Sequence, residues 1–329
     1  MNKSGIADKL AAPEDRLAWR IARVNWRVIA AMGIVLGLGL VAMGLSIEPA
    51  ALAVVAGIAA LYGASGWYHL HRKANPDPKM LLMLTSIGQL IFIVTFMGPL
   101  TYVGGALNFP LEDQLFLAID RALGIDPKML LEFFNARPDW TAWLEAGYGM
   151  IKWPLLGTPI ILGMTGRLLR LQTFVMAFAL ALIATLVIAA FVPAIGTYYG
   201  LGIAAASMPN LDTHIYALQL HDIPALRDGS LRSLELFKLA GIVSFPSFHA
   251  ASALLYAWAL WPVRGFGQFV STLCAMMLVA TPVVGAHYFI DVLGGMAVAA
   301  AAIWISRRIA ARLASQAVRP DPAAALAAA

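Results

Sequence analysis

QTFVMAFALALIATLVIAAFV, residues 172–192, contains no Asp, Glu, Lys or Arg. As an α-helix at 1.5 Å per residue it reaches roughly 30 Å, the depth of a bilayer's hydrocarbon core. In lipid only a helix can satisfy the backbone polar groups of such a run. Outward from it, comparable stretches lie at roughly 142–163, 80–100, 50–68 and 28–46 on one side. On the other side they lie at roughly 248–262, 268–286 and 288–305. The sixth stretch is short, and the last two are nearly continuous, so a tight turn is expected near Gly285. Composition agrees: 60% of 329 residues are hydrophobic, 12% are charged and the mean hydropathy is +0.77. A soluble domain averages about 45–50% apolar and about 25% charged. The expected fold class is therefore all-α, a polytopic transmembrane bundle of about eight spans.

Orientation follows from the basic residues, which short cytoplasmic loops concentrate. With the N-terminus inside, sixteen Lys and Arg fall on the cytoplasmic side, from Lys3 in the N-terminal segment to Arg319 in the tail, and six fall outside. Lys152 lies within the fourth span. This gives an N-in, C-in chain with a cytoplasmic segment at 1–27, one transmembrane catalytic domain at 28–312 and a disordered Ala/Pro-rich tail at 313–329. The motif-bearing core of that domain is about 172–305. The polar, basic start precedes a run long enough to span, which reads as no cleaved signal. In the first long outer loop, Leu111, Leu115, Ile119, Ala122 and Leu123 recur at helical spacing with Asp113, Asp120 and Arg121 between them. That pattern predicts a short amphipathic helix lying on the interface, with a second one at Met129–Phe134. No basic patch with reading elements suggests nucleic acid. Cys274 stands alone, and no Cys/His cluster suggests zinc.

Polar residues at span ends are where function is to be sought. Two clusters fall on the same outer face: Ser244-Phe245-Pro246-Ser247-Phe248-His249-Ala250 at the mouth of the sixth span, and His287-Tyr288-Phe289-Ile290-Asp291 at the mouth of the eighth. The first reads as a helix start. Its first-turn N–H groups, at Ser247, Phe248 and His249, lack intrahelical acceptors and form an anion site with the helix dipole. In the second, His287 and Asp291 are one helical turn apart. A carboxylate there fixes one imidazole nitrogen and frees the other as nucleophile or base.

SFPSFHA followed by HYFIDV resembles the second and third signature motifs of the type 2 phosphatidic acid phosphatase superfamily. The bulky residue between Ser and His, and the His-Tyr-x-x-Asp form, are most similar to its inositol phosphorylceramide synthase-like branch. The resemblance implies a metal-independent histidine phosphatase or phosphotransferase acting on a lipid phosphate at the outer face. It further implies that His287 becomes phosphorylated, Asp291 orients it and His249 protonates the leaving group. The family's first motif, Lys followed by Arg-Pro, has no counterpart at Phe191–Tyr199, and Thr281 stands where an arginine usually precedes the third motif. Some cation should offset the phosphoryl charge; Arg227, Arg232, Lys238 and Lys152 are the candidates, with Ser247 and Phe248 on the anion site. The expected partners are a lipid phosphate or phospholipid and the bilayer. No cofactor or metal is called for, and the expected location is a bacterial inner (plasma) membrane.

Two other function classes fit the sequence less well. A transporter or channel using the His/Asp cluster as a proton relay would place titratable groups near the midplane, often with repeats, and neither is seen. An inactive scaffold would not need His249, His287 and Asp291 together. His214 and His221 read as polar loop residues, and Gly294 and Gly295 as close helix packing.

Overall fold

A computed structural model describes residues 10, 12–72 and 77–318. Lys3, Lys9, Lys73 and Arg319, counted above for orientation, lie outside the described residues, as does the tail from 319 to 329. The longest helices are α1 (Pro13–Met43), α2 (Pro49–Arg72), α3 (Pro78–Ala106), α8 (Leu168–Phe191), α12 (Phe266–Val284) and α13 (Phe289–Val318). Between them lie the shorter α4 (Asp113–Ala122), α5 (Pro127–Asn135), α6 (Pro138–Gly149), α7 (Lys152–Met164), α9 (Thr197–Leu201), α10 (His214–Asp228) and α11 (Phe248–Leu260). Two-residue strands, Ser46–Ile47 and Ser233–Leu234, pair in parallel and tie the α1–α2 turn to the segment before α11.

The chain is an all-α integral membrane protein. Five helices, α1, α3, α8, α12 and α13, are long and apolar enough to cross a bilayer, and Pro49–Tyr62 and Phe248–Leu260 are shorter apolar helices. The fourth stretch, expected as one run, is divided between α6 and α7 by a turn at Met150 and Ile151. Helix α13 continues through residues 313–318, which composition had assigned to the tail.

Local signals set the ends. Asp77 and Asp126 each cap a helix that begins with proline, accepting from the N–H groups of Lys79 and Lys128. Helix α1 stops at Gly44, whose φ of 64° suits glycine. Helix α8 is the hub: it packs against α1, α3, α11 and α13, and thirteen of its residues are buried. Lipid tails are as apolar as leucine, so packing and interhelical hydrogen bonds must supply cohesion. At the α8 start they do. Asn25 Nδ2 donates to Gln172 Oε1 (3.2 Å), Gln172 Nε2 to Ser86 Oγ (2.7 Å), and Gln89 Nε2 to Ala22 O (2.8 Å). Each is worth of order 0.6–2 kcal/mol in such a setting. At the other end of the bundle, residues from 102–148 and 195–242 form a second apolar cluster with the end of α12, built around Tyr198, Tyr216, Leu226 and Leu234.

Candidate active site

The two motifs meet at that second end. Ser247 is the N-cap of α11, its Oγ accepting from Ala250 N at 3.4 Å. His249 follows in the first turn. Helix α12 ends at Gly285, and the chain turns through Ala286, a non-glycine residue at φ 53°, before His287. That left-handed conformation is uncommon outside glycine, Asn and Asp. It is held from outside: Ala286 O accepts from Thr197 N at 2.9 Å and Thr197 Oγ1 at 2.8 Å.

His287 Nδ1 lies 3.0 Å from Asp291 Oδ2, but His287 precedes the first residue of α13, Phe289, so the two meet across the helix start and not along one helix face as the spacing suggested. The same oxygen accepts from Ser244 Oγ at 2.7 Å and Tyr288 N at 3.0 Å. Asp291 Oδ1 is buried without a partner among the described residues. His287 Nε2 is left facing Ser247 Oγ at 3.4 Å. A carboxylate that holds Nδ1–H leaves Nε2 with its lone pair, the form a nucleophile needs.

His249 and His287 line one cavity of about 130 Å³. Tyr148, from α6, stacks on the His249 ring with centroids 4.0 Å apart and planes 13° apart. Met97, Leu182, Leu186 and Phe248 make most of the wall apolar, while Thr101, Thr185 and Gln219 add uncharged polar groups. Thr185 Oγ1 is buried without a partner among the described residues. Among the described residues no His, Cys, Asp and Glu side chains cluster as a metal cage.

The anion-site residues divide. Ser247 N–H donates to Asp291 O at 2.9 Å, so it is not free for a ligand as the sequence reading supposed. That bond instead locks the two motifs together and leaves the first-turn amides of Phe248 and His249. The four cationic candidates are absent from the cavity lining. Arg227 donates to Phe109 O at 2.7 Å, Arg232 reaches Met43 O and Leu226 O, and Lys238 pairs with Glu235 at 2.6 Å. Lys152 is exposed at the start of α7. Of these, Lys152 is nearest in sequence to a lining residue, Ile151, and Lys238 follows, two residues before Ala240. His221 pairs with Asp222 at 2.8 Å, and His214 starts α10.

Sequence reasoning missed a supporting layer. Helix α4 forms where its periodicity predicts, but its protein-facing side is the acidic one: Asp113, Phe116, Leu117 and Asp120 are buried, whereas Leu115 and Leu123 are exposed. The reason is unpaired backbone donors. Asp120 accepts from Phe289 N at 2.7 Å and Ile290 N at 2.9 Å, the first-turn amides of the helix that carries Asp291. Asp113 accepts from Ile195 N, Gly196 N and Tyr288 OH, at 2.8–3.1 Å. Ile195 and Gly196 lie in the segment that lacks the family's first motif, so an anion here binds that segment's amides. Burial pushes both carboxyls above their usual range, against the lowering by these amides. Gly295 completes the packing. A Cβ there would collide with Ser247 O and stand 3.0 Å from Ala250 Cβ, so only glycine lets α13 approach the α11 start this closely.

A family model described as PAP2 superfamily matches residues 114–305, more than half of the chain and both histidine motifs. No curated protein and no solved structure matches. The matched segment brings His249 and His287 to one cavity, with Asp291 bonded to His287 behind it, and the chain belongs to the PAP2, or type 2 phosphatidic acid phosphatase, superfamily.

Proposed function

We propose that the protein cleaves or transfers the phosphate, or phospho-headgroup, of a membrane lipid through a phosphohistidine at His287. The observation that carries this reading is the pair of contacts on one imidazole: Nδ1 held by Asp291 at 3.0 Å, Nε2 facing the α11 N-terminus across Ser247 Oγ at 3.4 Å. Nε2 attacks phosphorus as the P–O bond to the leaving group breaks, and His249 gives that oxygen a proton. Water or a hydroxyl then attacks phosphorus, the N–P bond breaks, and His249 takes the incoming proton. Asp291 stabilises the imidazolium character that develops on His287. The Phe248 and His249 amides and the α11 dipole face the phosphoryl oxygens, with the Ser247 hydroxyl beside them.

A lipid substrate is supported by the apolar wall of the cavity and by its position inside a bundle of membrane-length helices. The cation-free lining supports the inositol phosphorylceramide synthase-like branch, to which the missing first-motif charges also point. For Arg227, Arg232 or Lys238 to reach the phosphate, segment 227–238 would have to close over the cavity; Lys238, near Ala240, has the shortest path. No step here draws on a metal. The charge distribution supports an N-in, C-in chain in a bacterial inner (plasma) membrane with this site on the non-cytoplasmic side.

Lipid mass spectrometry of cells carrying the wild-type gene or His287→Ala tests the reading. A phospholipid that accumulates in the variant while its dephosphorylated or headgroup-exchanged product falls is the expected result. Identical lipid profiles at equal expression would refute it.

A further inference from the structure

At the end of the bundle away from the histidines, a second concavity of about 600 Å³ opens at the surface. It lies among the first residues of α8, the end of α11, the later turns of α13 and the start of α1. Three guanidinium groups, of Arg167, Arg170 and Arg307, line it with Trp258, and Glu14 is the one carboxylate in the lining. Like-charged side chains converge on one hollow only at a cost unless an anion joins them.

Among the described residues none of the three arginines forms an ion pair; the pairs present involve Lys128, His221, Lys238 and His287. Arg167 donates from one terminal nitrogen to Pro262 O at 2.9 Å, while its Nε is buried with no partner among the described residues. Arg170 is fixed more tightly. Its Nε donates to Ala259 O at 2.8 Å, a terminal nitrogen donates to Trp258 O, and its Cζ lies 4.7 Å from the Trp258 ring centroid. Arg307 is exposed at the rim, with no hydrogen bond among the described residues. Two guanidiniums are thus pre-positioned and a third is free to close on a ligand. Planar guanidinium forks match phosphate oxygens, and tryptophan is favoured at headgroup level.

We propose that this concavity binds a phosphate-bearing anion, either the headgroup of an anionic phospholipid or a soluble phosphate ester. The site is separate from the histidine cavity: Arg307 is eighteen residues along α13 from its first residue, Phe289, which at 1.5 Å per residue is about 27 Å. It holds whether or not the phosphohistidine reading is correct.

The test uses full-length protein in detergent, with binding measured by native mass spectrometry in three arms: phosphatidylglycerol, phosphatidylcholine and glycerol phosphate. Arg307→Gln is the diagnostic variant, since this exposed side chain makes no hydrogen bond among the described residues. Arg264→Gln removes an exposed positive charge from the α11–α12 turn at the same end without touching the hollow. Phosphatidylglycerol should bind more tightly than phosphatidylcholine, about five-fold more weakly in Arg307→Gln, and unchanged in Arg264→Gln. Glycerol phosphate binding with the same variant dependence would assign the site to a soluble ester. Equal binding of both lipids with no response to glycerol phosphate, or equal weakening in both variants, would overturn the proposal.

Discussion

Replacing Asp120 separates the structural layer beneath the site from the site itself. Its two oxygens accept from the amides of Phe289 and Ile290 at 2.7 and 2.9 Å, and the side chain is fully buried. Asp120→Ala leaves both buried donors without their acceptor. Each orphaned buried donor costs about 1–3 kcal/mol, so the pair costs about 2–6 kcal/mol. Asp120→Asn keeps one acceptor oxygen and should lose about half of that. Loss of the carboxylate's interaction with the α13 dipole acts in the same direction. For a chain of this size, about 2 °C per kcal/mol converts the Asp120→Ala loss to a fall of roughly 4–12 °C in thermal midpoint. Tryptophan fluorescence of the purified protein in detergent reads that midpoint. Leu123→Ala, at the exposed C-cap of the same helix, is the control, expected within about 0.5 kcal/mol of wild type. If Asp120→Ala melts with Leu123→Ala, the acidic face of α4 does not anchor the site and its burial has been misinterpreted.

Other perturbations follow from the same geometry. Asp113 and Asp120 titrate above the usual carboxylate value of 3.8 in the folded protein. A raised acid binds its proton more tightly folded than unfolded, so its contribution is present in acid and is lost as pH rises from 3.8 through the raised value. Wild type should therefore lose thermal midpoint relative to Asp113→Asn as pH rises through that window; a flat or rising difference counts against the burial argument. Gly295→Ala should drive Ser247 and the α11 start away from His287, lowering turnover about 100-fold through misplacement of order 1 Å, and full turnover would rule out that close packing as a requirement. Asp291→Asn should keep the helices, read by circular dichroism, while turnover falls about 10³–10⁴-fold through loss of the correct tautomer; a loss below ten-fold would remove Asp291 from its orienting role.

What the sequence disclosed, and what it did not, divides along a physical line. His287 and Asp291 are readable because they are only four residues apart at a helix start, Asp291 in the first turn of α13 and His287 two residues before it, so local chain geometry brings them together. The α11 start is readable for the same local reason, since Ser247 and the turn after it carry a cap signature. Asp113 and Asp120 were misjudged because the leucines of α4 recur more regularly than the acids, and because the partners of the acids are backbone amides at Ile195, Gly196, Phe289 and Ile290. Such amides carry no side-chain signature. Tyr148 was missed likewise: its stack on His249 joins residues about a hundred positions apart, and nothing in its own neighbourhood marks it. The division of the fourth stretch at Met150 and Ile151 lies below what hydropathy resolves, because both halves are apolar.

The central claim is that one histidine carries the phosphoryl group. Purified protein is mixed with a labelled lipid phosphate, quenched within milliseconds under conditions that preserve phosphohistidine, digested and sequenced by mass spectrometry. Label on His287, retained in His249→Ala and absent in His287→Ala, is the expected result. Label on His249, or turnover persisting in His287→Ala, would contradict the assignment of nucleophile and acid.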